Sequence, residues 1–456
     1  MKFKFNNLGL LHDGEIELSP LTIICGENNT GKTYATYAIY GFMSVWRQMM
    51  RRAIHKDIGK LGTKSSKLDL KSLYEGKIEK YFQDICSDYI VYLPRVFAIK
   101  DDTFNNTSFN ITLAEKSSIW RTHYVRNIED ADNKVIATLV KEKDDGVLSI
   151  LISDDSEISL TNLREIVSDY IVEIIFAPHM PKTFIASAER TGAAIFRKEL
   201  DFSRSRMLEA LSSLSEKELR NPFNLLRQLD AGYPLPVRDN VDFVRQLEDL
   251  DKTIGPTALD HPEILSAFEN IIGGSYKVVK EQGLIYQPKG TSKPKFTMSA
   301  SSSCVRALLD VGYYIKCRAQ PGDMLIIDEP ELNLHPKNQR SLARLLVMLV
   351  NAGVKVFITT HSDYLIKEFN TLIMLARRTP HNKAMQEKFN YSDAELLSPE
   401  HVNLYMTTST TKSRKKVNTV KKAKVYADRG IEVTTFDSTI EDINNIQDEI
   451  FYGEGL

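Results

Sequence analysis

The chain has 456 residues, room for two to four domains at about 100–200 residues each. Its 42% hydrophobic and 26% charged residues exclude wholesale disorder. Lys plus Arg (59) against Asp plus Glu (60) leaves a net charge of -1, which excludes a general nucleic-acid coat but not a local basic patch. No apolar run reaches the roughly 18 residues of a membrane helix, so no membrane association is expected. Met1 to Asn7 carry no apolar signal core. Cys25, Cys86, Cys304 and Cys317 are scattered without C-x-x-C spacing, which suits a reducing cytoplasm.

In chain order, Lys2 to Leu18 alternate apolar and polar residues around Asp13-Gly14 and read as a hairpin. Leu21 to Cys25 are β-prone and apolar, a buried strand. Gly26-Glu27-Asn28-Asn29-Thr30-Gly31-Lys32-Thr33 then fit G-x-x-x-x-G-K-[ST] at every fixed position, followed by a helix-compatible run. The chemistry needs this order. Gly26 and Gly31 let the backbone curl so that the N–H groups of Asn28, Asn29 and Thr30 converge on a phosphate. The helix start adds its dipole, Lys32 reaches the β- and γ-phosphates, and the Thr33 hydroxyl suits Mg²⁺. The ligands expected are therefore ATP and Mg²⁺.

The helix continues through Arg47, Arg51 and Arg52, and residues 62–72 read as a polar loop. Val135 to Val140 and Val147 to Ile152 flank Lys143-Asp144-Asp145-Gly146, a hairpin within an accessory β layer near 90–155. A helix follows near 160–174. Residues 193–270 are helical but broken by Pro222, Pro234, Pro236, Pro256 and Pro262, without long heptads. Tyr276 to Val279 and Leu284 to Tyr286 read as strands around Glu281-Gln282-Gly283.

Met324 to Ile327 form a buried parallel strand ending in Asp328, where a carboxylate can hold Mg²⁺. Glu329 follows and is placed to polarise the attacking water. Glu331 and His335 are four apart, but Pro330 and Pro336 argue for a loop, and a loop-packing role is preferred for His335 over a metal site. Val354 to Thr360 form the next strand, and His361 at its end is a candidate γ-phosphate sensor.

These three segments resemble the ABC-type ATPases of the SMC and DNA-repair class. The closest likeness is to prokaryotic AAA-like ATPases of OLD nucleases and of anti-phage systems such as Septu and PARIS. The stretch Asp328-Glu329-Pro330-Glu331-Leu332-Asn333-Leu334-His335-Pro336 and Thr360-His361-Ser362 carry the resemblance. It implies that Glu329 is the catalytic base and His361 the switch histidine, acting with Lys32. It also implies a signature segment, and Met298 to Arg306 resemble a degenerate, Ser-rich one without the usual glycine. Ser302 and Ser303 are the choices there for contacting nucleotide held by another subunit, against the plainer reading of a polar loop and helix cap. Phe184 to Gly192 resemble a Pro-Ala-Glu-Arg-Ser-Gly-like segment of these ATPases. Arg190 would organise the nucleotide site or the subunit interface, although a bare Glu-Arg pair reads first as a salt bridge. Gln83 is the candidate Q-loop glutamine.

The implied fold is α/β, an ABC-type P-loop ATPase head split by an insertion, with an accessory β layer, a short helical arm and no long coiled coil. Its parts are 1–45 and 290–376 (the head), 46–180 (β-rich insertion), 181–289 (helical arm and return strands) and 377–456 (a partner or packing segment). In that last part Lys412, Arg414, Lys415, Lys416, Lys421, Lys422 and Lys424 read as a solvated basic loop rather than a phosphate-binding run. Ser438 to Tyr452 read as an amphipathic helix, with Ile440, Ile443, Ile446 and Ile450, that packs on the core or docks a partner. No nuclease constellation is found after His361. The expected function is an ATP-hydrolysing sensor or scaffold subunit of an anti-phage complex. It would form a homodimer or higher even-numbered homo-oligomer through its heads and control a separate effector, a nuclease or toxin. The alternative is a DNA-engaging repair or SMC-like ATPase, with Arg47, Arg51, Arg52 and the basic run on nucleic-acid phosphates.

Overall fold

The structure, a computed structural model, describes residues 1–58, 65–113, 123–130, 132–153, 158–195, 232–279, 283–290, 295–412, 415–433 and 443–451. Its centre is a nine-stranded mixed sheet. The strands are β1 (Lys2–Leu8), β2 (Leu11–Glu17), β3 (Leu21–Gly26), β4 (Ser108–Thr112), β5 (Thr183–Ala186), β6 (Met324–Asp328), β7 (Lys355–Thr360), β8 (Val402–Lys412) and β9 (Lys415–Lys422). In space they run β4-β1-β2-β9-β8-β3-β7-β6-β5. The block β8-β3-β7-β6-β5 is parallel throughout. Such strands are buried on both faces, and β3 and β6 are buried at every residue.

Strand alternation explains the two cores. Leu21, Ile23, Cys25, Leu325, Ile327, Val356 and Ile358 face one of them. There they meet the helices Leu309–Cys317, Pro336–Asn351 and Asp363–Leu375. Ile24, Met324, Ile326 and Phe357 face the other, against the P-loop helix Lys32–Asp57 and the helix Ile78–Phe97. A separate four-stranded sheet (Ser65–Asp69, Val147–Ile152, Val135–Lys141, Tyr124–Glu129) forms the accessory β layer and extends this second core.

Several sequence expectations need correction. The first hairpin turns at Gly9-Leu10, and Asp13 and Gly14 lie inside β2. Gly14 is there because a Cβ would come within 2.3 Å of the Phe5 ring. Asn7 and Gly9, both at positive φ, make the turn. The expected loop 62–72 contains the edge strand Ser65–Asp69 and the helix Leu70–Tyr74; its remaining residues, 62–64, lie outside the described residues. Its polarity reflects an edge strand with a solvated face, not a loop.

The largest difference is at the C-terminal end. Lys412, Lys415, Lys416, Lys421 and Lys422 of the basic run lie not in a loop but in a hairpin, β8-β9, whose strands are integral to the central sheet, while Lys424 follows it and Arg414 lies outside the described residues. Lys422 pairs with Glu17 at 3.2 Å, while Lys421 and Lys424 are exposed. Arg47 lies over the Trp46 ring and Arg51 pairs with Asp169 at 3.3 Å. In the described part of the tail helix, 443–451, Ile443, Ile446 and Ile450 are exposed rather than packed on the core. Pro234, Pro256 and Pro262 of the helical arm sit at or just before helix starts, where a missing N–H costs nothing. Residues 196–231 of that arm, with Pro222, lie outside the described residues.

Candidate nucleotide site

All parallel strands of an open α/β sheet offer their carboxyl ends to ligands. Here those ends bring together the P-loop from β3, Asp328 and Glu329 from β6, His361 from β7 and the Ser187–Arg190 turn from β5.

The P-loop has the backbone that its glycines predict. Gly26 has φ +144° and Gly31 +99°, with Asn29 at +61°. Space is as decisive as conformation. A Cβ on Gly26 would lie 2.2 Å from Thr407 Oγ1 and 2.5 Å from the Thr407 carbonyl, because β8 runs directly against the loop. Thr407 Oγ1 is also 2.6 Å from Thr30 Oγ1, which itself donates to Glu27 O at 2.7 Å. The Thr30 hydroxyl therefore braces the loop, and its backbone N–H is what remains for phosphate. Asn28 and Asn29 are exposed. Lys32 is buried and its Nζ donates to Gly26 O (3.0 Å) and Glu27 O (2.7 Å). Burial lowers its pKa, against the opposing charges of Glu329 and Asp328. Thr33 is exposed in the first helical turn, which contains no acidic residue. The donor set fits a polyphosphate with its cation: backbone N–H groups, an ammonium and an exposed hydroxyl on one turn, with the Asp328 carboxylate at the end of another strand of the same sheet.

Asp328 is buried, and Thr359 Oγ1 donates to its Oδ1. Burial pushes its carboxyl up to about 6, with the Thr359 bond pulling the other way. Glu329 adopts φ +52°, a left-handed backbone that a Glu accepts only when its surroundings hold it there. Its N–H donates to Thr359 Oγ1 at 3.0 Å, and its Oε1 lies 3.3 Å from His361 Nε2. The His361 bond holds the Glu329 carboxyl below its usual range, so it is ionised at neutral pH and able to accept a proton.

Sequence reasoning undervalued two residues here. Glu331 Oε1 accepts from Thr360 Oγ1 (2.9 Å) and from the His361 N–H (2.6 Å), tying the Asp328-Glu329 loop to the histidine. It does not join His335, whose Nδ1 instead caps the helix Pro336–Asn351 by accepting from Lys337 N–H at 3.2 Å. Arg190 is the second. It is buried, and its guanidinium donates to four backbone carbonyls: Nε to Ala307 (2.6 Å), Nη1 to Ser187 (2.9 Å) and Asp328 (2.7 Å), Nη2 to Glu329 (2.8 Å). The neighbouring Glu189 is not its salt-bridge partner but accepts from Tyr37 OH at 3.1 Å, on the P-loop helix. A run of carbonyl acceptors has no sequence signature, which is why Arg190 read as an ion pair. Thr407 was missed for a similar reason: only the sheet order brings it to the P-loop.

Ser302 and Ser303 are exposed at the start of the helix Ser303–Ala307. Ser302 Oγ accepts from Val305 N–H at 3.4 Å, so it is the helix cap. Among the described residues neither serine is hydrogen-bonded to the P-loop of the same chain. Gln83 sits exposed within the helix Ile78–Phe97 and not at a strand end; the turn that follows the strand beside Asp328 is Ser187-Ala188-Glu189-Arg190.

The fold and the site define a P-loop nucleotide-binding α/β protein. The AAA ATPase domain family matches residues 1–366, four-fifths of the chain, and the chain belongs to it. No curated protein matches it. Solved structures similar to it include an SMC head bound to the C-winged helix domain of ScpA (12% identity, 92% of this chain and 97% of that chain, TM-score 0.34). Another is the SMC head domain from Thermotoga maritima (10% identity, 93% and 98%, TM-score 0.30). A third is an SMC head domain with an extended coiled coil bound to the C-terminal domain of ScpA, derived from Pyrococcus furiosus (13% identity, 98% and 98%, TM-score 0.32). Among the described residues no helix is long and apolar enough to cross a membrane.

Proposed function

We propose that the chain binds and hydrolyses ATP with Mg²⁺, and that two copies close over nucleotide to switch a separate effector in an anti-phage complex. The observation that carries the ATPase reading is the pairing of Glu329 with His361 at the strand ends beside a P-loop whose Lys32 is buried and poised. In this reading the P-loop N–H groups and Lys32 hold the phosphates. Thr33 and Asp328 hold Mg²⁺, which when bound offsets charge on the phosphates. Glu329 orients and deprotonates the attacking water, and His361 keeps Glu329 ionised and aimed. Ser302 and Ser303 are exposed at the start of the helix Ser303–Ala307, available to nucleotide held by a second copy. Closure is driven by linkage: ATP that binds the closed pair better than the open heads shifts the balance by that difference. The effector and the defence role rest on resemblance alone.

The test is native mass spectrometry of Glu329→Gln captured from cells carrying its neighbouring genes, with and without nuclease treatment. The proposal expects an ATP-loaded even-numbered assembly with a stoichiometric second protein that survives nuclease. Monomers at saturating Mg-ATP contradict the clamp. Recovery of nucleic acid without a protein partner favours the repair-type reading instead.

A further inference from the structure

Arg190 spends four donors on four main-chain oxygens that belong to three separate segments. Two of them, the carbonyls of Asp328 and Glu329, flank the base. One, Ser187, belongs to its own turn. The fourth, Ala307, is the last residue of the helix that begins at Ser303. That carbonyl is accessible for a specific reason. In a continuous helix the Val311 N–H would donate to Ala307 O. Here Val311 N–H donates to Asp310 Oδ1 at 2.8 Å, and the helix breaks at Leu308 before resuming at Leu309. Asp310 thus frees Ala307 O, and Arg190 Nε takes it. Tyr276 OH donates to the Val305 carbonyl at 2.5 Å and pins the same short helix from its other side.

The Glu329 peptide is held from both directions. Thr359 Oγ1 accepts from its N–H, and Arg190 Nη2 donates to its carbonyl. A left-handed φ at a glutamate is strained and survives only when the surroundings over-determine it. Arg190 is one of the groups that do so, beside Thr359 and the Leu332 N–H, which also donates to Glu329 O at 3.1 Å.

We propose that Arg190 is a positioning residue that ties the Glu329 peptide to the end of the Ser303–Ala307 helix, so that engagement of Ser302 and Ser303 is felt at the base of the same head. This deepens the ATPase reading and rests on it. A planar fork is required, because a lysine ammonium cannot span carbonyls on three segments.

The experiment measures Mg-ATP affinity and turnover in the full chain for wild type, Arg190→Lys, Glu329→Gln and the double variant. Arg190→Lys is expected to lose turnover by about 10²-fold while affinity moves less than about twofold, as for a misplaced catalytic group. In the Glu329→Gln background Arg190→Lys should then cost less than about twofold, because the group it positions is already gone. Asp310→Ala, which returns the Val311 N–H to Ala307 O, should lower turnover in the same direction by a smaller factor, and Asp310→Asn, which keeps the acceptor, should not. Turnover within about twofold of wild type in Arg190→Lys overturns the proposal. So do losses that multiply in the double variant, or an effect confined to affinity. Hydrogen exchange on the wild type needs no variant to fold: a non-hydrolysable ATP analogue should protect 303–308 and 329–331 together, and protection of one without the other contradicts the tie. Failure of the ATPase reading itself is seen separately, as a wild type that does not turn over ATP, and removes the inference with it.

Discussion

The two halves of the site are built in opposite ways. The P-loop is eight consecutive residues on one strand-to-helix turn, stabilised mostly by its own atoms: Lys32 to Gly26 and Glu27, Thr30 to Glu27. The half around Glu329 is assembled from β5, β6, β7 and the helix that starts at Ser303, and is joined by Arg190, Thr359 and Glu331. A local motif can bind an anion almost anywhere that a strand meets a helix. A glutamate held at positive φ requires the whole sheet. Binding is therefore expected to survive damage that abolishes turnover.

The largest effect belongs to Glu329, the proposed base. Glu329→Gln should retain nucleotide and lose turnover by about 10²–10⁴-fold, the range for a general base, read by phosphate release against equilibrium binding. Lys32→Ala should break the other half, weakening nucleotide binding by about 2–3 kcal/mol or roughly 30–150-fold, the scale of a charge-assisted hydrogen bond. Calorimetric titration with Mg-ATP checks it.

Next come two stability effects. Gly26→Ala should cost about 2–3 kcal/mol, since the new methyl meets the Thr407 carbonyl and the backbone is at φ +144°. Thermal melting checks this, and a wild-type Tm would show that β8 yields. Asp310 gives a pH test. Burial raises its carboxyl to about 6 against the opposing pull of Arg190. Its folded pKa lies above the ordinary value, so the folded chain holds that proton more tightly than the unfolded one. The associated stability is present below about pH 4 and is lost as pH rises through about 6. Asp310→Asn should therefore gain on wild type as pH rises from 4 to 7, by an amount on the order of 2 kcal/mol. A Tm difference that stays flat over that range refutes it. The smallest effect is His335→Ala, which removes the cap of the helix Pro336–Asn351 and should cost about 0.5–1 kcal/mol by denaturant unfolding.

The same contrast explains what could be read without coordinates. Gly26 to Thr33, the apolar run ending at Asp328, the strand before His361 and the hairpin around Asp144-Asp145-Gly146 are contiguous, and each was legible from composition and spacing. The C-terminal hairpin was not. Lys415 to Lys422 set Val-Asn-Thr-Val between two Lys-Lys pairs, and that pattern suits a solvated loop as well as a strand. Only its insertion between β2 and β3 puts Thr407 against Gly26. Asp13-Gly14 misled for a related reason: a turn dipeptide also serves where an aromatic ring needs the space of a missing Cβ. Arg190, Thr359 and Glu331 act through main-chain partners on distant segments, and no residue pattern encodes those.

The most direct test of the account is single-turnover hydrolysis of Mg-ATP by wild type and Glu329→Gln at saturating protein, with bound nucleotide measured in the same samples. The account predicts equal occupancy and a turnover at least about 10²-fold slower in Glu329→Gln. Equal turnover at equal occupancy would contradict it, and would remove Glu329, held by Thr359 and Arg190 and facing His361, from the chemistry.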